Sequence, residues 1–199
     1  CHSIFICLFF MKKILLINCF LLLSCPLFAQ KKAKSYKDGE WLKYKMSYSG
    51  FFKAGTAELS LKETELDGKK VFHANGFGKT SDFIGWFFKV SDTYESYFDF
   101  NNNVPYLFKR DVNEGGYIIK RDTKFDHETK IATVEDFKYN TIKEVPFDNV
   151  QDMISAFYYL RTINVDSIKT GDEIDLNMFF DSKTFAFKLR FLGTEIIKT

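Results

Sequence analysis

The side chains able to do chemistry in this sequence are few and widely spaced. Of its 3 histidines, His2 lies in an apolar leading segment, His73 sits in a run alternating with Val71 and Phe77, and His127 sits in Asp126-His127-Glu128, which reads as a turn. A zinc site needs about three protein ligands, and neither His-x-His nor His-Glu-x-x-His spacing occurs. The plain reading is two structural or surface histidines. A hydrolase serine is best presented on a Gly-x-Ser-x-Gly turn between strand and helix, whereas Ser47 and Ser49-Gly50 sit at the end of an alternating run. A Ser-His-Asp triad needs only geometry, but both histidines are poorly placed for one. Gly76-Phe77-Gly78-Lys79 lacks the spacing of a phosphate loop. Paired carboxylates could cleave glycosides, but 26 acidic residues guarantee some suitable pair, so the pairing carries no weight. No catalytic residue, metal site or cofactor is indicated.

Two clusters remain as candidate ligand-binding residues. Asp152, Ser155 and Tyr159 share one face of an expected helix, with Tyr158 and Arg161 beside them. Such a group can be aimed at a ligand. It can also be the polar edge of a helix docked on a sheet, with hydroxyls and guanidinium bound to backbone. Phe83, Ile84, Trp86, Phe87 and Phe88 crowd around Gly85. They can fill a core, or form a lid over an apolar guest, a reading favoured by the aromatic content of 18%.

The elements that must position these groups are mostly strands. Leu42, Tyr44, Met46 and Tyr48 alternate with polar residues, as do Ala57, Leu59 and Leu61, then Ile174, Leu176, Met178 and Phe180, then Phe185, Phe187, Leu189 and Phe191. A period of two means strands with one buried and one wet face, the habit of antiparallel sheets. Asp67-Gly68 is a strong hairpin turn, and Asn101-Asn102-Asn103, Gly115-Gly116 and Gly171-Asp172 punctuate later runs. About nine or ten strands are expected, at spacings that suit a meander. Residues 149–163 read as a helix, capped by Asn149 and carrying an apolar stripe of Met153, Ala156, Phe157 and Leu160. Residues 80–89 read as a short helix or an apolar loop. Glu195 to Thr199 reads as a strand just begun, with further strands expected beyond it.

The leading segment fixes an expected compartment. Met11-Lys12-Lys13, the apolar run Ile14–Phe28 and Ala29-Gln30 have the order of a secretory signal cut after Ala29, with residues 1–10 upstream of it. The expectation is an exported, periplasmic chain, 30–199, folding as one β-rich domain. A lipid anchor on Cys25 is the less favoured alternative, because Leu23 is bulky and Pro26 follows directly. All 4 cysteines, at positions 1, 7, 19 and 25, lie in this segment, so thiol and cysteine–metal chemistry leave with it. Of 28 basic residues 2 lie there, leaving 26 against 26 acidic ones. A neutral chain excludes a basic nucleic-acid surface. After Gln30 no run reaches the ~18 apolar residues of a membrane span.

Several motifs also resemble a known family. Glu40-x-Leu42-x-Tyr44-x3-Tyr48, Ala54-Gly55-Thr56-Ala57, Asp152-x2-Ser155-Ala156-x-Tyr158-Tyr159-x-Arg161, Gly171-Asp172 and Gly193-x-Glu195 resemble, in order and spacing, the bacterial domain of unknown function 3108. The resemblance implies an exported β-rich protein without an assigned active site, related in shape to the LolA/LolB-like lipoprotein carriers. The expected fold is therefore mainly β: an antiparallel, strongly curved sheet or half-barrel with one docked helix. The expected function is a non-enzymatic envelope module for an apolar or lipid-like ligand. A periplasmic scaffold binding another envelope protein and an envelope hydrolase are the alternatives.

Overall fold

A computed structural model describes residues 35–48 and 52–196. The signal reading, Cys25, Ser49-Gly50 and the last three residues lie outside the described residues. Ten strands are formed: β1 Trp41–Tyr48, β2 Phe52–Leu66, β3 Lys69–Thr80, β4 Ser91–Asp99, β5 Pro105–Glu114, β6 Tyr117–Asp126, β7 Ile131–Asp136, β8 Thr141–Pro146, β9 Glu173–Phe180 and β10 Lys183–Arg190. Among the described residues two α-helices join them, α1 Asp82–Gly85 after β3 and α2 Met153–Leu160 after β8, and Val165–Ser167 forms a 3-10 turn.

β1 to β8 make one antiparallel meander in chain order, and β9 pairs with β10 as a separate hairpin. Turn chemistry sets the register. Asp67 and Gly68 have φ of 50° and 77°, and Gly115 and Gly116 have 58° and 93°. Positive φ at both central residues matches the twist of the flanking strands, which holds β2–β3 and β5–β6 in tight hairpins.

The sheet is mainly antiparallel β with a docked helix, as expected, but it is neither closed nor strongly curled. β1 and β8 remain its two edges. Curling a sheet needs bulges or glycine kinks, and among the described residues only the Met46/Ser47 and Tyr97/Phe98 steps shift register.

Alternation decides what the inner face buries. One row runs straight across the sheet through Leu61, Ala74, Ser96, Phe108, Thr123 and Val134, all buried. Phe72, Phe98, Phe125 and Tyr158 add the aromatic centre of the core. The β9–β10 hairpin closes over the β5–β7 part of this face. Phe179 meets Phe125 edge-on at 5.4 Å, and Asp181 in its turn accepts from Arg110 at 2.5 Å and Arg121 at 2.9 Å.

α2 starts later than the sequence suggested. Asn149 does not cap it: its φ is 45°, and Gln151 is spent bridging β9, with its N–H on Asn177 O and its carbonyl on Phe179 N, both at 2.8 Å. Asp152 is the cap instead. Of the expected stripe of Met153, Ala156, Phe157 and Leu160 only Ala156 is fully buried, with Met153 and Phe157 partly buried against the core, and the buried face is completed by Ile154, Ser155 and Tyr158. Beyond β10, Glu195 and Ile196 belong to no strand.

Candidate functional site

The inner face of β1–β4 is hollow where the rest of the sheet is filled. Moving along the strands from the filled row, the next row reads Leu42, Leu59, Gly76, Tyr94, and the one after it Tyr44, Ala57, Gly78, Asp92. Glycine and alanine thus occupy adjacent inward positions where neighbouring strands carry large side chains. The result is a pocket of about 550 Å³ with an almost wholly apolar lining. This size and character suit a small-molecule ligand.

Its boundaries come from four elements. Tyr44 and Met46 of β1 stand at one side and Tyr94 of β4 at the other, with Ile84 of α1 and Ile154 and Phe157 of α2 above. Gly76 is needed for the roof. A Cβ there would lie 3.2 Å from Ile154 Cδ1, so the missing side chain lets α2 settle on the sheet. Gly78 is different: a Cβ there would meet nothing within 4 Å, so the space above it is open. Gly55 is a close approach, since its Cβ would fall 2.5 Å from Lys79 O of the paired strand. Burial pushes the Tyr94 hydroxyl above the ordinary phenol range, which keeps it neutral beside the pocket.

The helix cluster serves the fold. Asp152 is fully buried and builds a capping box: its Oδ1 accepts from the N–H groups of Ile154 and Ser155 at 2.8 Å, and Ser155 Oγ accepts from Asp152 N at 2.9 Å. Asp152 Oδ2 accepts from Ser96 Oγ on β4 at 2.6 Å, which pins the helix start to the sheet. Burial pushes the Asp152 carboxyl up to about 6, against the pull of these donors. Arg161 grips Glu40 with its two terminal nitrogens, at 2.5 and 2.8 Å, and lies over Tyr36, Phe157 and Tyr158. It ties the lead-in to β1 onto the end of α2. Tyr159 is half-buried, and its carbonyl accepts from Thr162.

The structure therefore separates the expected site residues. Ile84 lines the pocket, and α2 roofs it through Ile154 and Phe157 rather than through Asp152, Ser155, Tyr159 or Arg161. Phe83, Trp86, Phe87 and Phe88 are exposed beside it. The two described histidines bond elsewhere: His73 stacks on Tyr97 and bonds Glu95 at 2.8 Å, and His127 Nε2 lies 2.7 Å from Pro105 O. Among the described residues, no group of three or more His, Cys, Asp or Glu could hold a metal ion, and no helix is long and apolar enough to cross a membrane.

The pocket itself was missed in the sequence because it is made of absent side chains. Its signal is small residues at paired inward positions, Ala57 on β2 and Gly76 and Gly78 on β3. Glycine within a strand often marks a site where a ligand or another backbone approaches closely.

Neither the curated proteins nor the solved structures contain a match to the chain. A family model described as "Protein of unknown function (DUF3108)" matches residues 43–199, which takes in every wall of the pocket, and the chain belongs to that family.

Proposed function

We propose that the chain is a binding module for an apolar, lipid-like molecule held between the β1–β4 face and the two helices. The observation that carries this reading is the apolar pocket of about 550 Å³, floored by Ala57, Gly76 and Gly78. An empty apolar recess of this kind leaves its lining to water, at about 0.8 kcal/mol for each methylene left unburied. An apolar guest recovers that term. A ligand with its charge at one end fits best, because the interior offers almost no polar partner and a buried charge without one is strongly disfavoured. We further propose that the module works outside the cytoplasm, on the strength of the Met11–Ala29 signal pattern.

A photoactivatable fatty acid tests the assignment on the full chain. Irradiation followed by peptide mapping should place the label in segments 54–59, 76–84 or 154–157. Labelling confined to other segments, the apolar leader included, overturns it.

A further inference from the structure

Three segments meet at one end of the large sheet. α1 follows β3 there, the Gly115-Gly116 turn joins β5 to β6 there, and residues 137–140 join β7 to β8 there. They are in contact. The Phe88 ring occupies the place a Cβ of Gly115 would take, and Gly115 N donates to Lys89 O at 2.8 Å. Lys138 Nζ lies 5.3 Å from the Tyr117 ring and 5.2 Å from the Tyr139 ring.

This end exposes aromatic groups in number. Trp86 is 82% exposed, Phe87 72%, Tyr139 65% and Tyr117 59%. Phe83 and Phe88 are more than half exposed as well. Soluble proteins rarely leave so much apolar surface contiguous without a partner. Lys79 and Lys89 border one cleft with Trp86, Lys138 lies over the Tyr117 and Tyr139 rings, and none of the three is in an ion pair among the described residues. The carboxylates here are Asp82 in the same cleft, Glu114 before the Gly115 turn, Asp136, which accepts from Lys138 N and Tyr139 N and is paired with Arg121, and Glu58, near Lys79 and paired with Lys43.

The mixture discriminates between partners. Protein–protein interfaces are depleted in lysine, whereas the headgroup region of a bilayer favours tryptophan and tyrosine together with lysine. Each lysine held near an anionic surface contributes about 1 kcal/mol. We propose that this end of the sheet docks on the surface of an anionic lipid bilayer, with Trp86 and Phe87 inserted at the headgroup level. The inference does not depend on what fills the pocket. Ile84 lines that pocket from the same short helix, so docking would set the pocket beside the lipid.

The test uses tryptophan fluorescence of the full chain. The sequence has 2 tryptophans, so Trp41→Phe leaves Trp86 as the reporter. With vesicles of equal parts phosphatidylcholine and phosphatidylglycerol, carrying brominated acyl chains, Trp86 emission should shift to the blue and be quenched. Lys79→Glu with Lys89→Glu should raise the lipid needed for half-quenching about 30-fold or more, from two lost lysine contributions. In the Trp86→Phe chain, Trp41 should stay unquenched. The proposal is overturned if the chain sediments with vesicles while Trp86 stays unquenched, which means another segment holds it there. It is equally overturned if Trp86 shifts to the blue without lipid as protein concentration rises, the sign of self-association.

Discussion

Replacing Gly78 with leucine separates a binding pocket from a packing defect. Gly78 is an inward position of β3, its φ is not positive, and a Cβ there meets nothing within 4 Å. Leucine therefore enters without strain and places four carbons inside the pocket. Those carbons take the room of about four ligand methylenes, at ~0.8 kcal/mol each, so a guest that fills the pocket loses about 3 kcal/mol, or roughly 200-fold in affinity. The fold responds in the opposite direction. A strand glycine exchanged for a larger residue in open space gains about 0.5–1 kcal/mol, from reduced freedom of the unfolded chain. The assay is binding of cis-parinaric acid followed by its fluorescence, with urea unfolding of the same samples. Because both chains carry the same apolar leader, only the difference between them reports on the pocket. Unchanged probe affinity in a Gly78→Leu chain of equal or higher stability would refute the reasoning.

Other consequences of the geometry are as direct. Gly55→Ala should destabilise by about 1–3 kcal/mol, seen as a lower urea midpoint, because its Cβ would fall 2.5 Å from Lys79 O and neither strand backbone can yield cheaply. Asp152, held near 6 when folded and at its ordinary 3.8 when unfolded, keeps a proton in the fold that the unfolded chain has released between those values. The contribution of this group to stability should therefore be fully present below about pH 4 and fall by about 3 kcal/mol as pH rises through 6, with no further change from it above that. Asp152→Asn should flatten this slope in urea titrations run at stepped pH, while keeping a capping side chain. Arg161→Lys loses the two-pronged contact to Glu40 and the stacking on Tyr158. It should cost about 1–2 kcal/mol and raise amide exchange selectively in residues 35–40.

How far the fold could be read ahead follows from which residues carry a local signal. β1, β2, β9 and β10 were legible because their period of two is strict, and the β2–β3 hairpin because Asp67-Gly68 admits one kind of turn. The start of α2 was not, because Asn149 and Asp152 are both good caps. What decides between them is Gln151 bonding to β9, more than twenty residues further on. Asp152 and Ser155 had the spacing of a capping box, yet the same spacing also describes a polar face, and only their full burial settles the choice. The Phe83–Phe88 cluster stood out in the sequence, but its exposure could not, since aromatic residues usually fill cores. The pocket was the least legible feature. It depends on small residues of β2 and β3 facing inward in register, beneath a helix that follows some seventy residues later.

That distance along the chain has a temporal side. Each strand of the large sheet pairs with its immediate predecessor, so the meander can grow one hairpin at a time, with only short loops to close at each addition. The roof belongs to a different stage. Ile154 and Phe157 arrive only after all eight strands have been made, and the β9 contacts that anchor Gln151 come later still. A nascent chain halted before residue 150 would present Gly76 and Gly78 as an uncovered apolar trough. The roofed pocket is a late product of assembly, and the chain becomes competent to hold a guest only once α2 is docked on the sheet.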